Sequence, residues 1–347
     1  MSSTALQKLL QAHAFNPSPR EQELRNLHVP FDEIVGVPRC ERVLADALRR
    51  GERVGLIGPS GSGKSSVTEH VLGGAYVQDL APIRVRVGLE PESVVLDPRE
   101  FIRHLVRTVA KSVEATVKRE RRQVKRLARE VTQPETKRAV KVGVGGGVPW
   151  LTGNLAVELG SVVASMGPSG EDALEGAQLI LDVITDSGLR PVLVLDDTDH
   201  WLVRPGLSDP DERIAAFFGP IVRVIVERLP TAAAVVAVHD TYLHHPSYTD
   251  ATAFLETRLT VPPLPDATSV GRILGHRVAR VVGFSRTSPG LDDVISPAGL
   301  DRLFQNYAAS GRSLRGVLRV AHGALVHAGD SGAALIDIAH VDLAIAD

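Results

Sequence analysis

Gly58-Pro59-Ser60-Gly61-Ser62-Gly63-Lys64-Ser65 follows directly on Arg53-Val54-Gly55-Leu56-Ile57. The second stretch is apolar and bounded by charge, as a short buried strand is. The first matches the spacing G-x-x-x-x-G-K-[ST] in full. Its glycines allow a tight turn in which successive N–H groups face one point, and an anion is the natural occupant of that point. Lys64 would neutralise β and γ phosphates, and Ser65 would offer its hydroxyl to Mg²⁺. A helix is expected to follow over Ser66–Leu72. The pattern therefore implies a nucleoside triphosphate held by Gly58, Pro59, Ser60, Gly61, Ser62, Gly63, Lys64, Ser65 and Ser66, with Mg²⁺ beside it.

Length and composition agree with a site of this kind in an ordinary globular chain. The 347 residues include 44% hydrophobic types and carry a formal net charge of −2, and the isoelectric point is about 6.6. That balance gives no global attraction to nucleic acid or acidic lipid, so such contacts need a local patch. One cysteine, Cys40, excludes a disulfide framework within the chain. No secretion signal and no uncharged apolar run of membrane-spanning length is visible, and the expectation is a cytoplasmic protein with no membrane partner.

The order of elements predicts an α/β fold with a parallel sheet. Residues 1–30 read as a helical extension, Thr4–Ala14 and Arg20–Leu27, broken by Asn16-Pro17-Ser18-Pro19. Val43, Leu44, Ala47 and Leu48 give a helix with one apolar face ahead of the first strand. Ile83–Val87 alternates as a strand, and Asp97-Pro98 starts a long helix. Pro191–Leu195 and Ala232–Val238 are continuous apolar runs, as strands buried on both faces are. Between them lies an apolar helix, Ile214–Leu229. Leu259–Pro265 reads as a last short strand, and from Ala267 the pattern is helical. The expected domains are the 1–30 extension, a 31–265 nucleotide-binding domain and a 266–347 helical lid. An insertion at about 111–170 holds a basic helix and the glycine-rich hairpin Lys141–Gly160.

Further residues can complete a nucleotide site. Asp196-Asp197-Thr198-Asp199 ends the strand Val192–Leu195, where an acid from a neighbouring strand shares Mg²⁺ with the loop hydroxyl. Asp196 is the expected metal ligand. Asp197 is placed to polarise an attacking water, but its carboxylate is short for that task and hydrolysis is expected to be slow. Val238-His239-Asp240 ends another strand, so His239 or Asp240 can sense the γ phosphate; a capping Asp240 and a structural histidine are the alternative. Arg258, just before the last predicted strand, is a candidate arginine finger reaching a neighbouring subunit, or a surface arginine paired with Glu256. Arg315 stands near the start of a C-terminal helix, where it can fold back onto the nucleotide. A solvated basic face is its alternative.

Together these motifs resemble the AAA+ ATPases, in particular the branch with the Orc/Cdc6 initiators and transposition ATPases of the TnsC/TniC type. Phe31-Asp32-Glu33-Ile34-Val35-Gly36-Val37 is similar to the family's leading segment, in which a turn at Val35-Gly36 approaches the adenine. Asp196-Asp197-Thr198-Asp199 is similar to its D-E-x-D, with Asp197 replacing Glu. Thr257-Arg258-Leu259 resembles its arginine-finger box, His239 or Asp240 holds the sensor 1 position, and Arg315 matches the sensor 2 arginine. The Asp-Asp-x-Asp pattern and the insertion also resemble KAP-type and other STAND NTPases. The resemblance implies a parallel-sheet P-loop NTPase core of AAA+ type with a small helical lid, binding ATP and Mg²⁺ and forming a homo-oligomer. It would act as a nucleotide-controlled switch for assembly or for recruiting a protein effector; a signalling scaffold that binds ATP with little hydrolysis is the alternative. The basic run Lys118–Arg129 is a candidate sequence-independent DNA contact, or else a solvated or protein-docking helix face.

Overall fold

The computed structural model describes residues 5–19, 21–35, 40–76, 78–85, 93–116, 170–203, 209–283 and 290–347. The basic run Lys118–Arg129 and the glycine-rich stretch 141–160 lie outside the described residues. The chain divides into two compact units. One contains Met1–Val43, Gly58–Ala75 and Thr260–Asp347; the other contains Leu44–Ile57 and Tyr76–Leu259.

The fold is α/β. Strands β1 (Arg53–Ile57), β2 (Leu80–Arg84), β3 (Arg190–Leu195), β4 (Ala233–Val238) and β5 (Thr257–Thr260) form one sheet in the order β2-β3-β4-β1-β5. The β1–β4, β3–β4 and β2–β3 pairings are parallel, with Ile57 opposite Val238 and Leu195 opposite Val236. The inner strands are the ones whose sequences are uninterruptedly apolar, and every residue of β4 is buried. Pro82 lies within β2, which a proline can do because β2 is an edge strand and one side of it needs no donor. This strand begins three residues before the predicted Ile83.

The sheet's core is closed by aromatic side chains from the stretch Pro210–Arg228. A single helix over Ile214–Leu229 is expected from periodicity; instead Pro210–Ala216 and Val222–Arg228 flank a π-turn at Phe217–Ile221 that contains Pro220. Proline cannot supply the N–H that a continuous α-helix needs there. The irregular turn presents both Phe217 and Phe218 to the interior. Phe217 meets Trp201 edge-on at 5.8 Å, and Phe218 meets Tyr248 edge-on at 5.3 Å.

The other unit is helical. Helices Ala267–Val282, Pro297–Ala309, Leu314–Asp330 and Ile338–Ala346 begin on Asp266, Ser296, Ser313 and Asp337, each of which accepts from a first-turn N–H. The first helix of the chain ends at Gln11, earlier than the predicted Ala14. No described helix is long and apolar enough to cross a membrane.

The last strand is shifted from its expected place. It runs over Thr257–Thr260 rather than Leu259–Pro265, so Arg258 lies within it instead of before it. Pro262, Pro263 and Pro265 cannot donate to a ladder, and pairing stops short of them.

Candidate functional site

The phosphate-loop sequence forms a turn between β1 and the helix Lys64–His70, which begins two residues earlier than the predicted Ser66 and runs on into a π-turn at Val71–Ala75. Gly61 and Gly63 have φ of 74° and 109°, values that only glycine adopts without strain. Gly63 is the N-cap and offers no side chain, so the first-turn N–H groups have no side-chain cap. The Ser62 Oγ is buried without a hydrogen-bond partner among the described residues. The Lys64 ammonium donates to the carbonyls of Gly58 at 2.6 Å and Pro59 at 3.1 Å, which holds a buried charge over the turn. Uncapped N–H groups, an unspent hydroxyl and a fixed cation form a donor set suited to a polyphosphate.

Within the same unit, the helix carrying Arg315 starts on this loop. The Arg315 N–H donates to the Gly61 carbonyl at 3.2 Å. A methyl group on Gly61 would lie 2.5 Å from Ser313 Oγ and 2.8 Å from Arg315 Cβ, so the approach is as close as glycine permits. The Arg315 side chain is exposed and makes no hydrogen bond or ion pair among the described residues. A methyl group on Gly63 would lie 3.5 Å from Leu314 Cδ1 and 3.8 Å from Phe31 Cζ. Val35 ends the short helix Phe31–Val35.

Several residues of this unit escaped the sequence reading. The buried carboxylate of Glu41 accepts from Phe31 N–H at 3.0 Å and bonds His28 Nε2 at 2.8 Å, while His28 Nδ1 bonds Ser66 Oγ at 2.9 Å. Burial opposes ionisation of Glu41, but the hydrogen bonds from His28 and the Phe31 N–H outweigh it and hold the carboxyl below its ordinary value. Beside it, burial and the neighbouring His28 hold the His70 imidazole below its ordinary range. The polar 1–30 segment shows no such pairing in sequence, because partners 13 and 38 residues apart follow no periodicity. This segment is also tied to the helix Ala267–Val282. Arg277 donates to the Asn16 carbonyl at 3.0 Å, and His276 bonds the Asn26 carbonyl at 3.0 Å.

The acids lie in the sheet-bearing unit, at the carboxyl ends of β3 and β4. Asp197 has φ 57° and ψ 35°, a left-handed conformation that Asp tolerates better than most residues. Its N–H donates to Asp196 Oδ1 at 2.8 Å. Thr198 Oγ1 donates to the Ala237 carbonyl and so ties this turn to the end of β4. His239 caps the 3₁₀ turn Asp240–His244 by accepting from Thr241 N–H at 3.2 Å, so the cap is His239 and not Asp240. The Nε2 atom of His239 makes no hydrogen bond among the described residues. The Tyr242 hydroxyl bonds Asp199; burial, and then that carboxylate, hold the phenol well above its ordinary range.

Arg258 is exposed on β5 and is not paired with Glu256. That carboxylate is taken by Arg53, whose Nη1 lies 3.1 Å from Glu256 Oε1. The Arg258 side chain makes no hydrogen bond or ion pair among the described residues.

No protein-family profile matches the chain. No curated protein matches it. Several solved structures are similar in outline. The Aeropyrum pernix ORC1 protein in complex with DNA is 18% identical with a TM-score of 0.49, covering 92% of this chain and 65% of that one. Cdc6p from Pyrobaculum aerophilum is 14% identical with a TM-score of 0.47, covering 94% and 68%. The Aeropyrum pernix ORC2 protein in its ADPNP–ADP complexes is 14% identical with a TM-score of 0.49, covering 92% and 70%. The chain thus spans about two thirds of the length of these structures.

Proposed function

We propose that the chain is an ATP-binding P-loop NTPase of AAA+ type that acts as a nucleotide-controlled switch for oligomer assembly or partner recruitment. The observation that most supports this reading is the docking of the Arg315 helix on Gly61. A stand-alone catalyst has no need to seat a second element on its phosphate loop at the limit that glycine allows. A switch does, because a ligand that differs in affinity between two arrangements of loop and helix moves the equilibrium between them. Ser65 and Asp196 are the residues that would hold Mg²⁺, which would neutralise phosphate charge. Lys64 would hold the β and γ phosphates, Arg315 and His239 would read the γ phosphate, and Asp197 would orient water. An exposed arginine on an edge strand suits a role toward a second copy, which is the role we assign to Arg258. The low turnover that a short Asp197 carboxylate implies also fits a scaffold that binds ATP, recruits an effector and resets rarely.

DNA is the partner to test first, through Lys118–Arg129. The experiment is binding of a fluorescent ATP analogue with Mg²⁺, followed by ATP turnover with and without duplex DNA at two salt concentrations. Binding that depends on Lys64 and turnover that DNA stimulates in a salt-sensitive way are expected. Equal binding by wild type and Lys64→Ala refutes the nucleotide reading. Turnover and DNA affinity indifferent to salt refute the DNA partner.

A further inference from the structure

His28 belongs to a polar segment with no nucleotide motif, yet it is buried and bonded to the helix of the phosphate loop. His28 is 8% exposed and Glu41 is fully buried. An ionised carboxylate can only accept, so His28 Nε2 donates to Glu41 Oε1; in the neutral ring Nδ1 then accepts the proton of Ser66 Oγ. Tautomer and ring orientation are both fixed by the carboxylate. The same Oε1 atom also accepts from Phe31 N–H, and the Phe31 ring would lie 3.8 Å from a methyl group on Gly63. One buried oxygen thus steadies two elements that meet the phosphate loop, one at Gly63 and one at Ser66.

Ser66 is the third residue of its helix and carries one of the first-turn N–H groups that a phosphate would engage. Those donors bind an anion well only if they converge before it arrives, because ordering them at the moment of binding subtracts from affinity.

We propose that His28 and Glu41 are positioning residues of the nucleotide site. The His28–Ser66 hydrogen bond, oriented by Glu41, pre-sets the first turn of the loop helix for phosphate. This inference rests on the nucleotide reading above and adds that the N-terminal segment is a working part of the site.

The test is a double-mutant cycle in the Kd of a fluorescent ATP analogue with Mg²⁺, with melting temperature measured in parallel. His28→Ala and Ser66→Ala should each weaken binding by about tenfold, the lower end of the loss seen when a residue that orients a metal ligand is removed. The double variant should be no weaker than either single, since both remove the same bond. Glu41→Gln keeps an acceptor oxygen for His28 and Phe31 and should bind better than Glu41→Ala. His276→Ala, which removes the bond to Asn26 elsewhere on the segment, should lower the melting temperature and leave Kd unchanged. Wild-type affinity in His28→Ala, or additive losses in the double variant, overturns the proposal. If His28→Ala does not fold, Ser66→Ala decides: unchanged affinity there overturns it equally. Lys64→Ala separates the two ideas, because analogue binding that survives this change sinks the nucleotide reading itself.

Discussion

Replacing Gly61 with alanine should weaken the helical unit more than any other glycine substitution at equal backbone strain. Two contributions are expected. The left-handed φ of 74° costs an L-residue about 1–2 kcal/mol. The new methyl group would also lie 2.5 Å from Ser313 Oγ and 2.8 Å from Arg315 Cβ. The hydroxyl can rotate away only by abandoning its cap on Gly316 N–H, now 3.1 Å long, which costs about 1 kcal/mol. Arg315 Cβ is fixed to its backbone, so the helix start must retreat and lose the bond from Arg315 N–H to Gly61, a further loss of about 1 kcal/mol. The sum is about 3–4 kcal/mol. Gly311 provides the control, because it shares the φ of 74° but has nothing within 4 Å of an added methyl. Gly311→Ala should therefore cost only the strain, about 1–2 kcal/mol. Urea unfolding followed by far-UV circular dichroism, with both variants fitted at a common slope, gives the difference directly. Equal losses in the two variants would show that the Arg315 helix is not seated on Gly61, and would remove the main support for a switch.

Other predictions address the acids, the buried cation and the pH response. Asp197→Asn should leave stability within about 0.5 kcal/mol, since Asn also tolerates the left-handed region, while lowering ATP turnover by roughly 10²-fold or more if Asp197 orients the attacking water; a steady-state assay with unchanged turnover removes Asp197 from the chemistry. Arg213 is fully buried and donates to the Leu202 carbonyl at 2.9 Å, so Arg213→Met strands that acceptor and should cost about 1–3 kcal/mol in urea unfolding. A neutral result would mean that water reaches the site. The folded state holds His70 below its ordinary value of 6.5 and so binds fewer protons there than the unfolded chain. The stability that this depression contributes is complete above pH 6.5 and is lost as pH falls through the folded value. Comparing unfolding of wild type and His70→Gln between pH 7.5 and 5.5 should show a steeper fall in wild type; parallel curves would contradict the shift.

Legibility followed the distance in sequence over which each feature is determined. β1 was readable to the residue because an apolar run bounded by Gly51 and the phosphate loop leaves no other register. β3 and β4 were readable within a residue because strands buried on both faces must be apolar throughout. β5 was misplaced because its alternating Thr-Arg-Leu-Thr has no apolar run to mark it. The chain after it, rich in proline, looked like a strand end but is where pairing cannot continue. The interruption at Pro220 was legible only as a proline; that the chain would answer with a π-turn depended on seating both Phe217 and Phe218 among Trp201, Tyr242 and Tyr248.

For the candidate site the division is similar. The sequence by itself determined the glycine turn at residues 58–65 between a strand and a helix, the acids that end β3, and the α/β order of the chain, because each depends on residue type at short, fixed spacing. Tertiary structure alone decided that Gly61 receives the helix of Arg315, that Glu256 pairs with Arg53 rather than Arg258, and that His28, bonded to Glu41, reaches Ser66. Those outcomes join residues far apart in the chain. A hydrogen bond or a close approach across such separations is set by how whole elements pack, and no local pattern of residues encodes it.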